Sequence, residues 1–197
     1  MTEIVLVRHG ETEWSRTLKH TGRTDVPLTD EGREQAHLVG RALAGRRFGR
    51  VLSSPLQRAL ETCRIALPDA EPELPEELME WDYGDYEGIT TKEIRETVPD
   101  WTVWKYGARG GESVEAVGAR VDRIVAELGR ADEDVAVFAH GHVLRVLTAR
   151  WLGLEPAAGR LFALDTGTLS ILGYERETAV VRRWNEPLEE AAGPATE

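Results

Sequence analysis

Apolar residues recur with two different periods along this 197-residue chain, and the switches between them predict the order of its elements. Residues 3–7 are nearly all apolar (Ile4-Val5-Leu6-Val7 after Glu3), as expected of a strand covered on both faces. After a loop, Thr29-Asp30 opens a helix whose apolar positions Ala36, Val39 and Leu43 keep helical spacing, and Gly45 ends it. Val51-Leu52-Ser53 reads as a short strand. Ser54 as cap and Pro55 at the first helical position then start a helix carrying Leu56, Ala59, Leu60, Cys63 and Leu67 on one face. A Pro- and Glu-rich stretch over 68–77 leads into an irregular, aromatic-rich segment at 80–88, which is too polar to be assigned to the core. Thr90 or Thr91 starts a short helix, and from Ser113 an amphipathic helix runs through Val114, Val117, Val121, Ile124, Val125 and Leu128. Residues 135–138 form a buried strand ending in Ala139-His140-Gly141-His142. Residues 143–152 are helical up to Gly153, and 168–174 with 179–184 pair as a hairpin.

Alternating strands and helices predict an α/β fold. We expect a single three-layer αβα domain with a mostly parallel central sheet over residues 1–185, followed by a flexible acidic tail at 186–197. No repeat or linker divides the chain. Sheets of this kind bind ligands beyond the carboxyl ends of their strands, which draws attention to Arg8-His9, to the turn from Ser53 to Arg58, and to His140.

Composition narrows the setting. No apolar run approaches the ~20 residues that span a membrane, and the N-terminus lacks the basic and long apolar regions of a secretory signal. The lone Cys63 falls on an apolar helix face and is expected to be a buried core thiol, so a reducing, cytoplasmic setting is expected. The formal net charge of −11 argues against nucleic acid or an anionic membrane as partner and leaves monomer and homodimer both open. An anionic substrate would then require arginines gathered locally against the overall field.

Arg8-His9-Gly10 is the strongest candidate for chemistry. A strand-end histidine alone suits a structural role, a metal ligand or a nucleophile. Its neighbours favour an anion site: Arg8 offers a fork of donors for phosphate oxygens, Gly10 permits close backbone approach, and Arg58 sits in the first turn of a helix with free N–H groups. A metal held by His9, His140 and His142 is disfavoured because Arg8 would oppose the cation, and a His-x-His ending a strand points its rings apart. His37 is expected to be solvated, whereas His20 lies in the loop after His9, within reach of a ligand. Trp101, Trp104 and Tyr106 fit either packing in a short helical cap or an aromatic rim.

Five ordered motifs carry a resemblance over residues 3–185: residues 6–14 around Arg8-His9-Gly10, Thr21-Gly22 with Pro27-Leu28-Thr29, Ser53-Ser54-Pro55-Leu56-Gln57-Arg58-Ala59 with Thr62, Glu80, and His140-Gly141. Together they resemble the histidine phosphatase (phosphoglycerate mutase-like) superfamily, branch 1. The segment 80–88, Gly111-Glu112-Ser113 and residues 138–142 are similar to its sedoheptulose-1,7-bisphosphatase-like and small broad-specificity acid phosphatase members. The resemblance implies a metal-independent, cofactor-free phosphomonoesterase acting on a small phosphorylated metabolite, such as a sugar phosphate, through a phosphohistidine. It makes His9 the nucleophile, Arg8, Arg58 and His140 the phosphate pocket, and Glu80 the proton donor, a role that requires its acid form to be populated. Ser15, Thr21, Gly22, Tyr83 and Gly141 would contact substrate; Ser15 departs from the Asn of many members. The alternatives are a phosphoglycerate mutase, a phosphoprotein phosphatase or a non-catalytic phospholigand binder. Mutases of this kind insert a long segment between the acid and the second histidine, whereas here His140 follows Glu80 by only 60 positions, which favours hydrolysis.

Overall fold

The computed structural model describes residues 2–188. Its elements run β1 (Ile4–Arg8), α1 (Glu13–Arg16), α2 (Asp30–Leu43), β2 (Arg50–Ser53), α3 (Gln57–Ala66), α4 (Thr91–Thr97), α5 (Val103–Tyr106), α6 (Val114–Leu128), β3 (Val135–Ala139), α7 (Gly141–Trp151), β4 (Leu169–Glu175) and β5 (Thr178–Glu186). The strands form one sheet in the order β2-β3-β1-β4-β5. The β1–β3 and β2–β3 pairs are parallel, while β4 is antiparallel to both β1 and β5, so four strands share one direction and β4 opposes them.

Strand parity builds the three layers, because successive side chains point to opposite faces. Ile4 and Leu6 of β1 and Val135 and Val137 of β3 pack with Val117, Val121 and Ile124 of α6 and Leu144 and Leu147 of α7. Val5, Val7, Ala136 and Phe138 point the other way and meet Val39 and Leu43 of α2 and Cys63 and Ala66 of α3. Cys63 is fully buried, and burial pushes its thiol up to about 12.

Three local expectations are corrected. The segment 80–88 is not peripheral: Trp81 and Tyr83 are among the largest fully buried side chains, because the Trp81 indole N–H reaches the Glu112 carbonyl at 2.9 Å and the Tyr83 hydroxyl lies 2.6 Å from His142 Nδ1. α3 starts at Gln57 after Leu56, not at a Ser54 cap; the Ser54 hydroxyl is drawn instead to His140 Nε2 at 2.7 Å. α7 starts at Gly141, so His142 sits in its first turn rather than on an extended strand end, and strand alternation does not set the direction of its ring. The hairpin is present as β4 and β5, His37 is exposed as expected, and the tail from residue 189 lies outside the described residues. Among the described residues, no helix is long and apolar enough to cross a membrane.

Candidate active site

The parallel register Arg8↔Ala139 brings His9 beside His140 at the carboxyl ends of β1 and β3. The His9 backbone is held from both sides: its N–H donates to the Ala139 carbonyl at 3.0 Å, and its carbonyl accepts the Gly167 N–H at 3.1 Å. The next residue must be small. A Cβ on Gly10 would lie 2.1 Å from the Gly32 carbonyl oxygen, where the first turn of α2 closes over the loop. The Gly10 N–H donates to Thr62 Oγ1 at 3.1 Å, tying the same loop to α3.

The His9 ring is 4% exposed, with Nδ1 2.7 Å from the Gly10 carbonyl. A carbonyl only accepts, so Nδ1 carries the proton and Nε2 keeps its lone pair. Burial first, then the Arg58 and Arg8 guanidiniums, hold His9 well below the usual imidazole range, so the ring is neutral. Arg8 has the strand parity of Ile4 and Leu6 and emerges beside the start of α7, where a Cβ on Gly141 would lie 3.2 Å from its guanidinium carbon. One of its terminal nitrogens donates to the Leu164 carbonyl, while Nε is buried without a partner among the described residues. A buried donor left unmade costs roughly 1–3 kcal/mol, so this one is suited to an incoming anion.

Arg58 is fully buried behind these residues. It donates from Nε to His140 Nδ1 at 3.1 Å, from Nη1 to the Thr24 carbonyl at 3.0 Å, and from Nη2 to the Gly22 and Thr21 carbonyls at 2.8 and 3.3 Å. With Nδ1 accepting, His140 Nε2 is the protonated nitrogen facing Ser54, and its ring centroid is 5.1 Å from that of His9. Burial and Arg58 hold His140 well below the usual imidazole range.

Glu80 is 5% exposed and receives three backbone N–H groups. Oε1 accepts from Trp81 and Val143 and Oε2 from His142, each at 2.9 Å, the last two donors being unpaired amides at the start of α7. The carboxyl is thereby fixed, with a free acceptor position on Oε2. Its loop is gripped from behind by Arg120 of α6, which donates to the carbonyls of Glu77, Met79 and Glu80 at 2.5, 2.7 and 3.2 Å. Arg120 also pairs with Glu112 at 2.8 Å, whose Oε2 accepts the Asp82 N–H at 2.9 Å.

Arg8, His9, Glu80, Tyr83 and Gly141 line one cavity of about 770 Å³, within the range of small-molecule sites. Ser15 and Thr21 also face it, but the Ser15 hydroxyl closes a capping box with Thr12 and the Thr21 hydroxyl bonds the Lys19 carbonyl at 3.2 Å. Gly22 lies behind the wall, and a Cβ there would meet Glu87 Oε1 at 2.2 Å. His20 lies in the wall against Tyr83, ring centroids 4.7 Å apart, and burial pulls it down to about 4. Tyr83 is held well above the usual phenol range by burial and then by Glu80, and it therefore donates to His142 Nδ1. Trp101 packs in the core, whereas Trp104 stacks on Arg145 with 4.7 Å between centroid and guanidinium. Ser54, Thr62, Arg120 and Arg145 join the site in the structure alone. Ser54 and Thr62 lie inside the resembling motif, whereas Arg120 and Arg145 carry no local signal. Among the described residues, no three His, Cys, Asp or Glu side chains gather as a metal site.

Known proteins resemble this chain in sequence and in fold. A sequence model of the histidine phosphatase superfamily (branch 1) matches residues 4–187. The acid phosphatase of Mycobacterium tuberculosis is 43% identical over 197 residues, covering 96% of this chain and 97% of the relative. The sedoheptulose 1,7-bisphosphatase of Saccharomyces cerevisiae is 35% identical over 183 residues, covering 76% and 67%. A solved structure of an open-reading-frame product from Mycobacterium tuberculosis superposes with a TM-score of 0.89 at 41% identity, covering 93% of this chain and 97% of that one.

Proposed function

This chain belongs to branch 1 of the histidine phosphatase superfamily, and from that premise we propose that it hydrolyses a small phosphate ester through a phosphohistidine on His9. It is a phosphohydrolase: hydrolysis is the chemistry named for its acid phosphatase and bisphosphatase relatives, and mutase chemistry is the less favoured alternative. The observation that carries the mechanism is the pairing of a neutral His9, with its Nε2 lone pair free, and the unpartnered Nε–H of buried Arg8 in one cavity.

In the first half-reaction, Nε2 forms a bond to phosphorus as the ester P–O bond breaks in line. Arg8 and the Gly141 amide, which lines the cavity at the start of α7, offset the charge on the equatorial oxygens. Glu80 passes its proton to the departing alcohol oxygen. In the second half-reaction, the Glu80 carboxylate takes a proton from water, whose oxygen bonds to phosphorus as the N–P bond breaks, and inorganic phosphate leaves. The acid of one half is then the base of the other. Arg58 acts from behind, fixing the His140 ring and the carbonyls of the 21–24 loop.

The test is rapid quench of the enzyme with p-nitrophenyl phosphate, followed by mass analysis under conditions that preserve phosphohistidine. The expected result is a phosphoryl adduct on the His9 peptide, absent in His9→Ala together with turnover. Turnover by His9→Ala at the parent rate would overturn the mechanism.

A further inference from the structure

The cavity is far larger than a phosphoryl group fills, and its cations fall into two groups. Arg145 lies within electrostatic reach of Tyr83, Glu80 and Arg8, at the end where His9 sits. Lys19, Lys92 and Arg95 line the same cavity from the 17–20 loop and from α4. An antiparallel bridge joins Lys19 to Thr90, and His20 Nε2 meets Thr91 Oγ1 at 3.1 Å, so loop and helix are fastened together and their lysines share one mouth.

Arg95 Nε donates to the Trp101 carbonyl at 2.9 Å and Arg145 Nε to the Gly159 carbonyl at 3.1 Å, but among the described residues none of these cations pairs with a carboxylate. Elsewhere on the molecule Arg33, Arg46, Arg50 and Arg150 lie 2.6–2.7 Å from carboxylates. Among the described residues, no ion pair joins Arg8, Lys19, Lys92, Arg95 or Arg145 to a carboxylate, and Glu80 is the one acidic side chain in the cavity lining. Glu93 lies near both lysines, but its Oε2 is taken by the Thr90 N–H and hydroxyl at 2.7 and 2.8 Å and it stays outside the wall. In a chain of net charge −11, three cations without a carboxylate partner among the described residues, in the same cavity as Arg8 and His9, make a field for a second negative group.

We propose that Lys19, Lys92 and Arg95 form a second anion site, so that the preferred ester carries a phosphate or carboxylate on its leaving group, away from the phosphoryl group that is transferred. The inference rests on the phosphomonoesterase reading above and specifies its substrate class. Lys19 and Lys92 are exposed, so the attraction is screened by salt and contributes to selection and encounter more than to tight binding.

Three esters with the same 6-hydroxyl leaving group test it: glucose 6-phosphate, 6-phosphogluconate and glucose 1,6-bisphosphate, with p-nitrophenyl phosphate as reference. The parent enzyme should show kcat/KM about tenfold higher for glucose 1,6-bisphosphate than for glucose 6-phosphate, beyond the factor of about two from its two esters. That preference should shrink as NaCl rises from about 0.05 to about 0.5 M. In Lys19→Gln/Lys92→Gln the preference should fall by about the same tenfold. A control variant with the same charge change outside the cavity, Arg47→Gln/Arg130→Gln, should keep it. A gain for 6-phosphogluconate equal to that of the bisphosphate assigns the site to anions in general; a gain for the bisphosphate alone assigns it to phosphate. Turnover of p-nitrophenyl phosphate with no preference among the three sugars, or a double variant that keeps the parental preference, overturns the second site alone. Turnover of none of the four overturns the phosphatase reading beneath it.

Discussion

Glu80 is the residue whose role is most sharply testable, because its three amide contacts fix position while the proposed chemistry asks it to move a proton. Glu80→Gln keeps the size and loses the proton. An alkoxide is a poor leaving group and p-nitrophenolate a good one, so turnover of an alkyl phosphate should fall by about 100-fold or more and that of p-nitrophenyl phosphate by about tenfold or less. Equal losses on both would remove Glu80 as the acid. Among single residues, Arg8, His9, Arg58, Glu80 and His140 were legible because each lies in a motif. Ser54, although inside one, was misread: as the residue before Pro55 it looked like a helix cap, and only the β2–β3 register places its hydroxyl against His140. The orphaned Nε of Arg8 is also invisible in sequence, since it depends on which of its donors the Leu164 carbonyl takes.

The segment 80–88 and α6 act as one unit, joined by Arg120. Four carboxylates in nine residues suggested a solvated loop, but the Trp81 and Tyr83 polar atoms have internal partners, which permits burial, and the loop carbonyls are satisfied by Arg120. The periodicity of α6 was read from Val117, Val121 and Ile124; Arg120 shares that buried side at 8% exposure, where a charge is unexpected without a partner 8 positions earlier in Glu112. Arg120→Met removes the cation from a half-buried pair and leaves three carbonyls without their donor, so we expect about 3 kcal/mol of destabilisation in chemical denaturation. If the clamp also positions Glu80, the folded variant should lose more activity on alkyl phosphates than on p-nitrophenyl phosphate, and Arg120→Lys should recover part of that selectivity. A fall in stability with the parental alkyl-to-aryl ratio would make Arg120 purely structural.

The molecule as a whole should respond to acid through its histidines. The α/β layering and terminal hairpin were legible from the hydrophobic periods. The burial of four histidines, three lining the cavity and His140 beside His9, was not, because it arises where separate strand ends and loops converge. His9, His140 and His142 are held well below the usual imidazole range and His20 at about 4, in each case chiefly by burial. In the unfolded chain they titrate near 6.5, so between there and their folded values the unfolded state binds more protons. Stability is therefore fully present above about pH 6.5 and is lost as pH falls, by about 1.4 kcal/mol per pH unit for each histidine that stays neutral. For His20 that loss saturates near pH 4. Glu73, held low by Arg50, and Glu112, where burial pushes up but Arg120 outweighs it, add losses of the same sign, but only below the ordinary carboxylate value near 4.5. Denaturant midpoints should thus decline steadily from about pH 7 to pH 4.5, with a shallower slope in His20→Gln, and a flat profile over that range would contradict neutral burial of the cluster. The same shift keeps His9 in its nucleophilic form at acid pH, so loss of activity on acidification should follow loss of fold rather than protonation of the nucleophile.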